Sequence, residues 1–366
     1  MKVPLLDLKE QYETIRAEVE PAVLELMASQ MFVLGKPVAQ LEETLAAHSN
    51  CAFGIGVSSG TDALLCALMA MDIGYGDEVI IPTFTFFASA GVVARTGATP
   101  IFVDIDPETF NLDLEKTKAA ITSKTKAIMP VHLYGQMVDM KPLMAIAKEH
   151  NIKVVEDACQ SIGSEQNGER PGEIGDCACL SFYPSKNLSA FGDGGMILTQ
   201  SEEFAQKCKY MRMHGEDQRY YHSMIGGNFR LDAFQAMILN IKFKYLDGWA
   251  QKRRDHAAIF NRLLCDEVKT PVIKPGNTSV YNQYVIRAPR RDELQAYLAE
   301  HEVGSGIYYP VPLHLQECFK HLGGKVGDCP VAEQACKEVL ALPVYPELAD
   351  EKVIYAAGCI NDFYKK

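Results

Sequence analysis

The sequence predicts an α/β fold, a mostly parallel central sheet flanked on both faces by helices and followed by a small C-terminal α+β domain. Three observations predict it. Short apolar runs alternate with helical patterns through the first two-thirds of the chain. Polar residues follow those runs at the positions where such sheets bind ligands, beyond the carboxyl ends of the strands. Near Leu239 the texture changes to a long basic, amphipathic stretch, after which comes a second set of short β-like runs, Tyr281 to Arg287 and Val303 to Tyr309.

In chain order, Ala52 to Met69 reads as an apolar strand, a Ser-Ser-Gly-Thr turn and a helix with Thr61 and Asp62 in its first turn. A strand that delivers the chain into a free helix N-terminus presents unpaired N–H groups and the positive dipole end, so Gly60 and Thr61 form a candidate phosphate site. The turn also fits a merely capped helix. The glycines at 54, 56 and 60 are spaced GxGxxxG, and two lie within the strand, so a dinucleotide fingerprint is rejected. Val79-Ile80-Ile81, Pro100 to Val103, Ala127 to Val131 and Lys153-Val154-Val155 read as buried strands, with helices expected over Asp113 to Ile121 and Met140 to His150. After the first of these runs comes Pro82 to Ala90, where Phe86 is the candidate to stack on a planar ligand.

Lys153 to Gln160 reads KVVEDACQ, which places Asp157 at the carboxyl end of a core strand, with Gln160 three residues on. A carboxylate there is costly to desolvate without a cationic partner; a solvated or helix-capping Asp is the alternative. Cys179 to Gly195 carries a further strand, then Ser181, then Lys186 in a loop rich in small residues. A lysine so placed, if desolvated, is a nucleophile toward carbonyls; most lone lysines are only solvated. Together these signals supply a phosphate cradle, a carboxylate for a pyridine nitrogen and a Schiff-base amine, the three requirements of pyridoxal phosphate chemistry. The division expected is a large domain over 1–238, a connecting helix over 239–264 and a small domain over 265–366.

Among the 366 residues, 36 basic against 47 acidic side chains give a net charge of −11, and no Lys/Arg run offers a footprint for phosphate backbones. Nucleic acids and membranes are therefore not expected partners. The N-terminus lacks a signal-peptide pattern and no run reaches the roughly 18 apolar residues of a membrane span, so a cytoplasmic location is expected. The 11 cysteines include no CxxC pair and read as reduced thiols. His214, Glu216, Asp217 and His222 match none of the compact zinc spacings, so no metal is expected, and a loop over the active site or a subunit interface is the better reading.

The residues as a set resemble the DegT/StrS family of fold-type I, pyridoxal-phosphate-dependent aminotransferases of nucleotide-linked keto sugars. The match spans Ser59-Gly60-Thr61-Asp62-Ala63-Leu64, Thr85-Phe86, Glu156-Asp157-Ala158-Cys159-Gln160, Ser181-Phe182-Tyr183-Pro184-Ser185-Lys186 and Gly192-Asp193-Gly194-Gly195. It continues through Gly227-Asn228-Phe229-Arg230-Leu231-Asp232, Tyr308 to His314 and Leu342-Pro343. By that resemblance Lys186 forms the Schiff base and shuttles the proton, and Asp157 holds the pyridinium nitrogen. Gln160 approaches the cofactor's phenolic oxygen and one ring face, Phe86 covers the other, and Gly60, Thr61 and Ser181 bind the phosphate. Asn228 reaches the phosphate of a neighbouring subunit, which implies a homodimer with shared sites. Some members have His in place of the lysine and dehydrate; Lys186 here implies aminotransfer, with glutamate as donor and pyridoxamine phosphate as the intermediate cofactor form.

Met211 to Leu231, Tyr281 to Tyr284 and Tyr308 to Gln316 are similar to the branch that aminates carbon 3, including members acting on UDP-2-acetamido-2-deoxy-3-keto-glucuronate. That implies a cell-surface polysaccharide role, lipopolysaccharide or O-antigen among them. Arg230 is the candidate contact for the sugar carboxylate, with a phosphate contact or an interface salt bridge as the alternative, and Tyr308, Tyr309 and His314 are further sugar contacts. Relatives have His where this chain has Tyr308. A dTDP-3-keto-6-deoxyhexose or a 4-keto sugar is the alternative substrate, and a non-catalytic regulator or sensor is the alternative of another class.

Overall fold

In the computed structural model, which describes residues 1–365, the first strands are β1 (Phe53–Val57), β2 (Glu78–Pro82), β3 (Thr99–Val103), β4 (Thr125–Ile128) and β5 (Lys153–Asp157). After the two-residue β6 (Glu165–Gln166) come β7 (Cys177–Ser181) and β8 (Gly195–Thr199). One seven-stranded sheet has the order β1-β8-β7-β5-β4-β2-β3. Only β8 runs against its neighbours β1 and β7; the pairs from β7 through β3 are parallel. The carboxyl ends of β1, β2, β5 and β7 therefore share one edge with the start of β8.

The helices before and within this unit are α1 (Leu8–Ser29), α2 (Lys36–His48), α3 (Gly60–Ala70), α4 (Ala88–Thr96), α5 (Leu114–Ala119), α6 (Met140–His150) and α7 (Glu202–Met211). Most strand residues of the sheet are apolar and buried, as helices on each side require; β3, at the sheet edge, is only partly buried, and β5 ends on the buried acids Glu156 and Asp157. The reason β1 carries glycines is packing: a Cβ at Gly54 would stand 2.6 Å from the carbonyl oxygen of Glu42 on α2. Ala127 to Val131 is a strand only to Ile128, after which Val131 makes an isolated bridge to Asp157.

The exposed hairpin of β9 (Glu216–Gln218) and β10 (Tyr221–His222) holds the His214–His222 stretch. Among the described residues no group of three or more His, Cys, Asp or Glu could hold a metal, and no helix is long and apolar enough to cross a membrane.

The stretch expected as one connecting helix over 239–264 is two helices, α8 (Ala233–Phe243) and α9 (Leu246–Leu263), broken at Lys244 and Tyr245. The break lets each bury its apolar face against a different core. Ala236 and Leu239 of α8 join the cluster of Leu41, Leu45 and Leu198, while Ala257 and Phe260 of α9 join Tyr284, Leu298 and Ile360. Lys244 and Tyr245 at the corner both bond the Glu18 carboxylate.

Beyond β11 (Asn277–Thr278), which pairs with β6, the C-terminal cluster is built on β12 (Tyr284–Arg287) antiparallel to β13 (Val339–Leu342). Around them pack α10 (Arg291–Glu300), α11 (Pro330–Glu338) and α12 (Asp350–Lys365). Val303 to Tyr309, expected to be β-like, contributes only bridges, Val303 to Val3 and Gly306 to Ala341. Val3 is buried in this second cluster, so the chain's first residues pack against its C-terminal part.

Candidate functional site

At the common strand edge lies a cavity of about 550 Å³. Its floor is built from four strand ends. After β1, Ser59 caps α3: its backbone is extended and its hydroxyl accepts from the Asp62 N–H at 3.0 Å. The first intrahelical bond is Ala63 N–H to the Ser59 carbonyl, so the N–H groups of Gly60 and Thr61 precede it and remain available at the cavity rim. Nothing larger than glycine fits at 60, where a Cβ would meet the Ser181 Cβ at 2.6 Å and the Cys159 sulfur at 2.9 Å. Ser181, at the end of β7, is thereby held beside the turn and lines the same cavity.

At the end of β5, Asp157 is buried and accepts a hydrogen bond from the Ser89 hydroxyl at 2.7 Å on one oxygen and from the Cys159 N–H at 3.3 Å on the other. Donors thus engage both oxygens of the carboxylate. Ser89 is itself 3.2 Å from Thr85, one helical turn earlier. Its neighbour in sequence, Glu156, points to the other face of the strand. There it meets His132 at 2.7 Å with both side chains fully buried, and it accepts from the Gly172 and Gly175 N–H groups. Since the Val138 N–H donates to Nδ1 of His132, the proton sits on Nε2 and is directed at Glu156.

Lys186 lines the cavity from the loop after β7. Burial of its amine pushes the pKa down from the ordinary lysine value, against the raising influence of Cys159 and Asp157, so more of it is the neutral nucleophile at a given pH. Phe86 is 57% exposed and faces the cavity with Tyr309, ring centroids 6.3 Å apart. Gln160 is oriented from both ends: its oxygen accepts from the Tyr134 N–H at 2.7 Å and its amide donates to the Tyr309 hydroxyl at 3.2 Å. Burial raises the pKa of the Tyr308 and Tyr309 phenols, which keeps both protonated near neutrality.

Gly60, Thr61, Phe86, Asp157, Gln160, Ser181, Lys186, Tyr308 and Tyr309 thus converge on one cavity. Three expected residues do not. Arg230 lies in an adjoining depression of about 530 Å³ that shares Ser59, Thr61 and Asp193 with the first and also exposes Asp62 and Asp232. Asn228 is exposed and away from both. His314 is buried, with Nδ1 2.7 Å from the Thr83 hydroxyl and Nε2 3.2 Å from Glu333, so both ring nitrogens are engaged outside the cavity lining. Sequence reading missed Ser89 and Tyr134. The signal for Ser89 was its hydroxyl four residues after Thr85 at a helix start; nothing local marks the Tyr134 N–H.

A planar aromatic phosphate ester fits this donor set. An amine of lowered pKa, a buried carboxylate and a turn narrowed by Gly60 to leave N–H groups bare line one cavity.

The model of the DegT/DnrJ/EryC1/StrS aminotransferase family matches residues 13–361. The chain is 52% identical to a Geobacillus stearothermophilus protein named pleiotropic regulatory protein, covering 100% of this chain and 99% of that one. It is 42% identical to the UDP-N-acetyl-3-dehydro-α-D-glucosamine 3-aminotransferase of Acidithiobacillus ferrooxidans, over 98% and 97%. With the UDP-2-acetamido-2-deoxy-3-oxo-D-glucuronate aminotransferase of Pseudomonas aeruginosa it shares 40% identity, over 97% and 99%. Among solved structures, Streptomyces venezuelae DesV in complex with a ketimine intermediate superposes with a TM-score of 0.97 at 37% identity, over 100% and 99%. NtdA of Bacillus subtilis with bound cofactor PMP gives 0.91 at 31%, over 99% and 85%.

Proposed function

The chain belongs to the DegT/DnrJ/EryC1/StrS aminotransferase family, and on that premise we propose that it aminates a nucleotide-linked keto sugar with pyridoxal phosphate held in the cavity at the strand ends. One observation carries the reading: an amine of lowered pKa, Lys186, faces the same cavity as a doubly hydrogen-bonded buried carboxylate, Asp157, and the bare N–H turn at Gly60. When bound, the cofactor supplies an electron sink for breaking a C–H bond beside nitrogen. The protein supplies the rest. The N–H groups of Gly60 and Thr61 with the Ser181 hydroxyl would hold the phosphate, and Asp157, oriented by Ser89 and the Cys159 N–H, would hold a proton on the ring nitrogen. Phe86 covers one ring face, and Gln160 is held toward the other side by Tyr134 and Tyr309. Lys186 would anchor the cofactor through its amine, and its Nζ would carry the proton to and from the substrate carbon.

For the substrate, the reading is a UDP-linked 3-keto sugar, UDP-2-acetamido-2-deoxy-3-keto-glucuronate, with glutamate as the amino donor. The names of the Acidithiobacillus and Pseudomonas relatives support carbon 3 and the UDP group. Arg230, which makes no ion pair among the described residues and lies beside the cavity, supports a sugar carboxylate. Asp62 and Asp232 in the same depression favour the uncharged 3-keto-N-acetylglucosamine, which makes it the second sugar to offer. The domain reading that goes with this function is a large cofactor-holding part over 1–238, a connecting helical stretch over 239–264 made of the end of α8 and of α9, and a small part over 265–366. The chemistry serves polysaccharide or lipopolysaccharide assembly in the cytoplasm. Asn228, exposed and remote from its own cavity, serves the partner's phosphate in a homodimer.

The test is a coupled assay with glutamate and pyridoxal phosphate, offering both UDP-3-keto sugars and a dTDP-3-keto-6-deoxyhexose, with products read by mass spectrometry. Amination of the uronate is the expected result; amination of the deoxyhexose alone overturns the substrate, and no amination of any keto sugar overturns the function. A regulatory role, favoured by the name of the Geobacillus relative, requires instead that the chain bind a specific operator at physiological salt with Lys186→Ala as tightly as without it. The net charge of −11 weighs against that.

A further inference from the structure

The loop that carries Lys186 is tied to the C-terminal part of the molecule by buried polar groups outside the lining of the cavity that Lys186 faces. Asn187, next to the lysine and buried, donates from Nδ2 to the Val280 carbonyl at 2.9 Å, and its Oδ1 accepts from Nδ2 of Asn282 at 2.8 Å. Asn282, also buried, belongs to a loop whose carbonyls are gathered by one cation. Arg253 of α9 donates from Nη1 to Tyr281 at 3.1 Å, to Asn282 at 3.4 Å and to Val344 at 2.5 Å. No carboxylate lies within ion-pair distance of Arg253 among the described residues; three peptide carbonyls accept from its Nη1 and the charge of Glu347 acts on it from farther off, while its Nε has no hydrogen-bond partner. Two residues past Asn187, the Ser189 hydroxyl accepts from the ammonium of buried Lys242 on α8 at 2.9 Å. The lysine-bearing loop is therefore held from one side by α8 and from the other, through two asparagines, by α9.

Such groups are costly to bury, and each bond is made only if its neighbours are in place. Asn187 has rigid partners at both ends of its amide, and Lys186 is bonded through its own N–H to the Tyr183 carbonyl at 2.8 Å. The backbone on both sides of the lysine is thus pinned.

We infer that the Asn187–Asn282 side-chain pair, backed by Arg253, is the positioning device that sets where the Lys186 amine stands in the cavity. The inference rests on the reading of Lys186 as the residue that carries the cofactor. Neither asparagine touches the reacting atoms. They act through the backbone of the lysine, so their removal moves the amine's geometry and titration before it moves the fold.

The experiment is a pH titration of the visible band of the pyridoxal-phosphate-loaded enzyme, with melting temperature measured alongside, for wild type, Asn187→Ala, Asn282→Leu and the double variant. Each single variant is expected to shift the titration midpoint in the same direction by about one pH unit, and the double variant by no more than the larger single shift, because the two side chains make one bond. The kcat for the sugar is expected to fall on the order of tenfold with KM little changed. Should Asn282→Leu not fold, Asn282→Asp, which is isosteric and turns the donor into an acceptor facing Asn187, takes its place. Variants that titrate like wild type while melting lower overturn the inference and leave the pair a structural clip, and additive shifts overturn it too. A wild type that forms no visible band with pyridoxal phosphate defeats the cofactor reading itself, an outcome distinct from both.

Discussion

Lys186 shows how much one residue's chemistry depends on what surrounds it. In water its amine would be almost wholly protonated at neutral pH; enclosed by the loop after β7 it is desolvated, its pKa falls, and a nucleophile results. Replacing it leaves no second amine among the lining residues, whose other side chains are hydroxyls, amides, rings, carboxylates, aliphatic groups and the Cys159 thiol. Lys186→Ala is expected to lose the visible band and to slow keto-sugar amination by at least about 10³-fold, checked by absorbance and single-turnover kinetics. This residue was legible because a lysine within a Ser/Gly-rich loop at a strand end is a local pattern. Ser89 was not, because its bond to Asp157 joins residues 68 apart that only the pairing order of the sheet brings together. The same holds for His314. The sequence groups it with Tyr308 and Tyr309, but the fold turns it onto Thr83 and Glu333.

Elements decide the next scale. The site depends on how closely the start of β8 approaches the turn before α3: a Cβ at Gly195 would lie 2.4 Å from the backbone of Ser59. Gly195→Ala must push that turn, and with it the N–H groups of Gly60 and Thr61. It is expected to weaken pyridoxal phosphate binding on the order of tenfold or more while lowering the melting temperature, measured by fluorescence titration and calorimetry. On α8, buried Lys242 is pushed down to about 8 by desolvation. An unfolded lysine stays protonated up to its ordinary pKa of 10.5. Between the two values the unfolded chain binds more protons than the folded one, so this group's contribution to stability rises with pH there. Urea unfolding at pH 8 and at pH 10 is expected to show that rise, and Lys242→Met to flatten it.

At the scale of the molecule, the cavity is assembled from segments spread between residues 59 and 309, and one expected contributor, Asn228, faces outward. If it completes the partner's phosphate site, two different inactive subunits repair each other. Mixing unfolded and refolded Lys186→Ala with Asn228→Ala chains is expected to restore amination that neither parent shows, because one site of each mixed dimer then holds both intact residues. No recovery in mixtures that sediment as dimers would assign Asn228 elsewhere. The break between α8 and α9 also belongs to this scale: the sequence periodicity runs through it, yet the two helices serve different cores.

By itself the sequence determined the strand ends, the Gly60 turn, Asp157 and Lys186, because each is written in a short stretch whose local geometry follows from residue type: apolar run, turn residues, helix cap. Only the tertiary structure decided which of these face one another, that Ser89 and not a cation satisfies Asp157, that His314 is turned away, and that asparagines 95 residues apart pin the lysine loop. Those outcomes depend on strand order and helix packing, which join distant segments, and no local pattern encodes a distance between them.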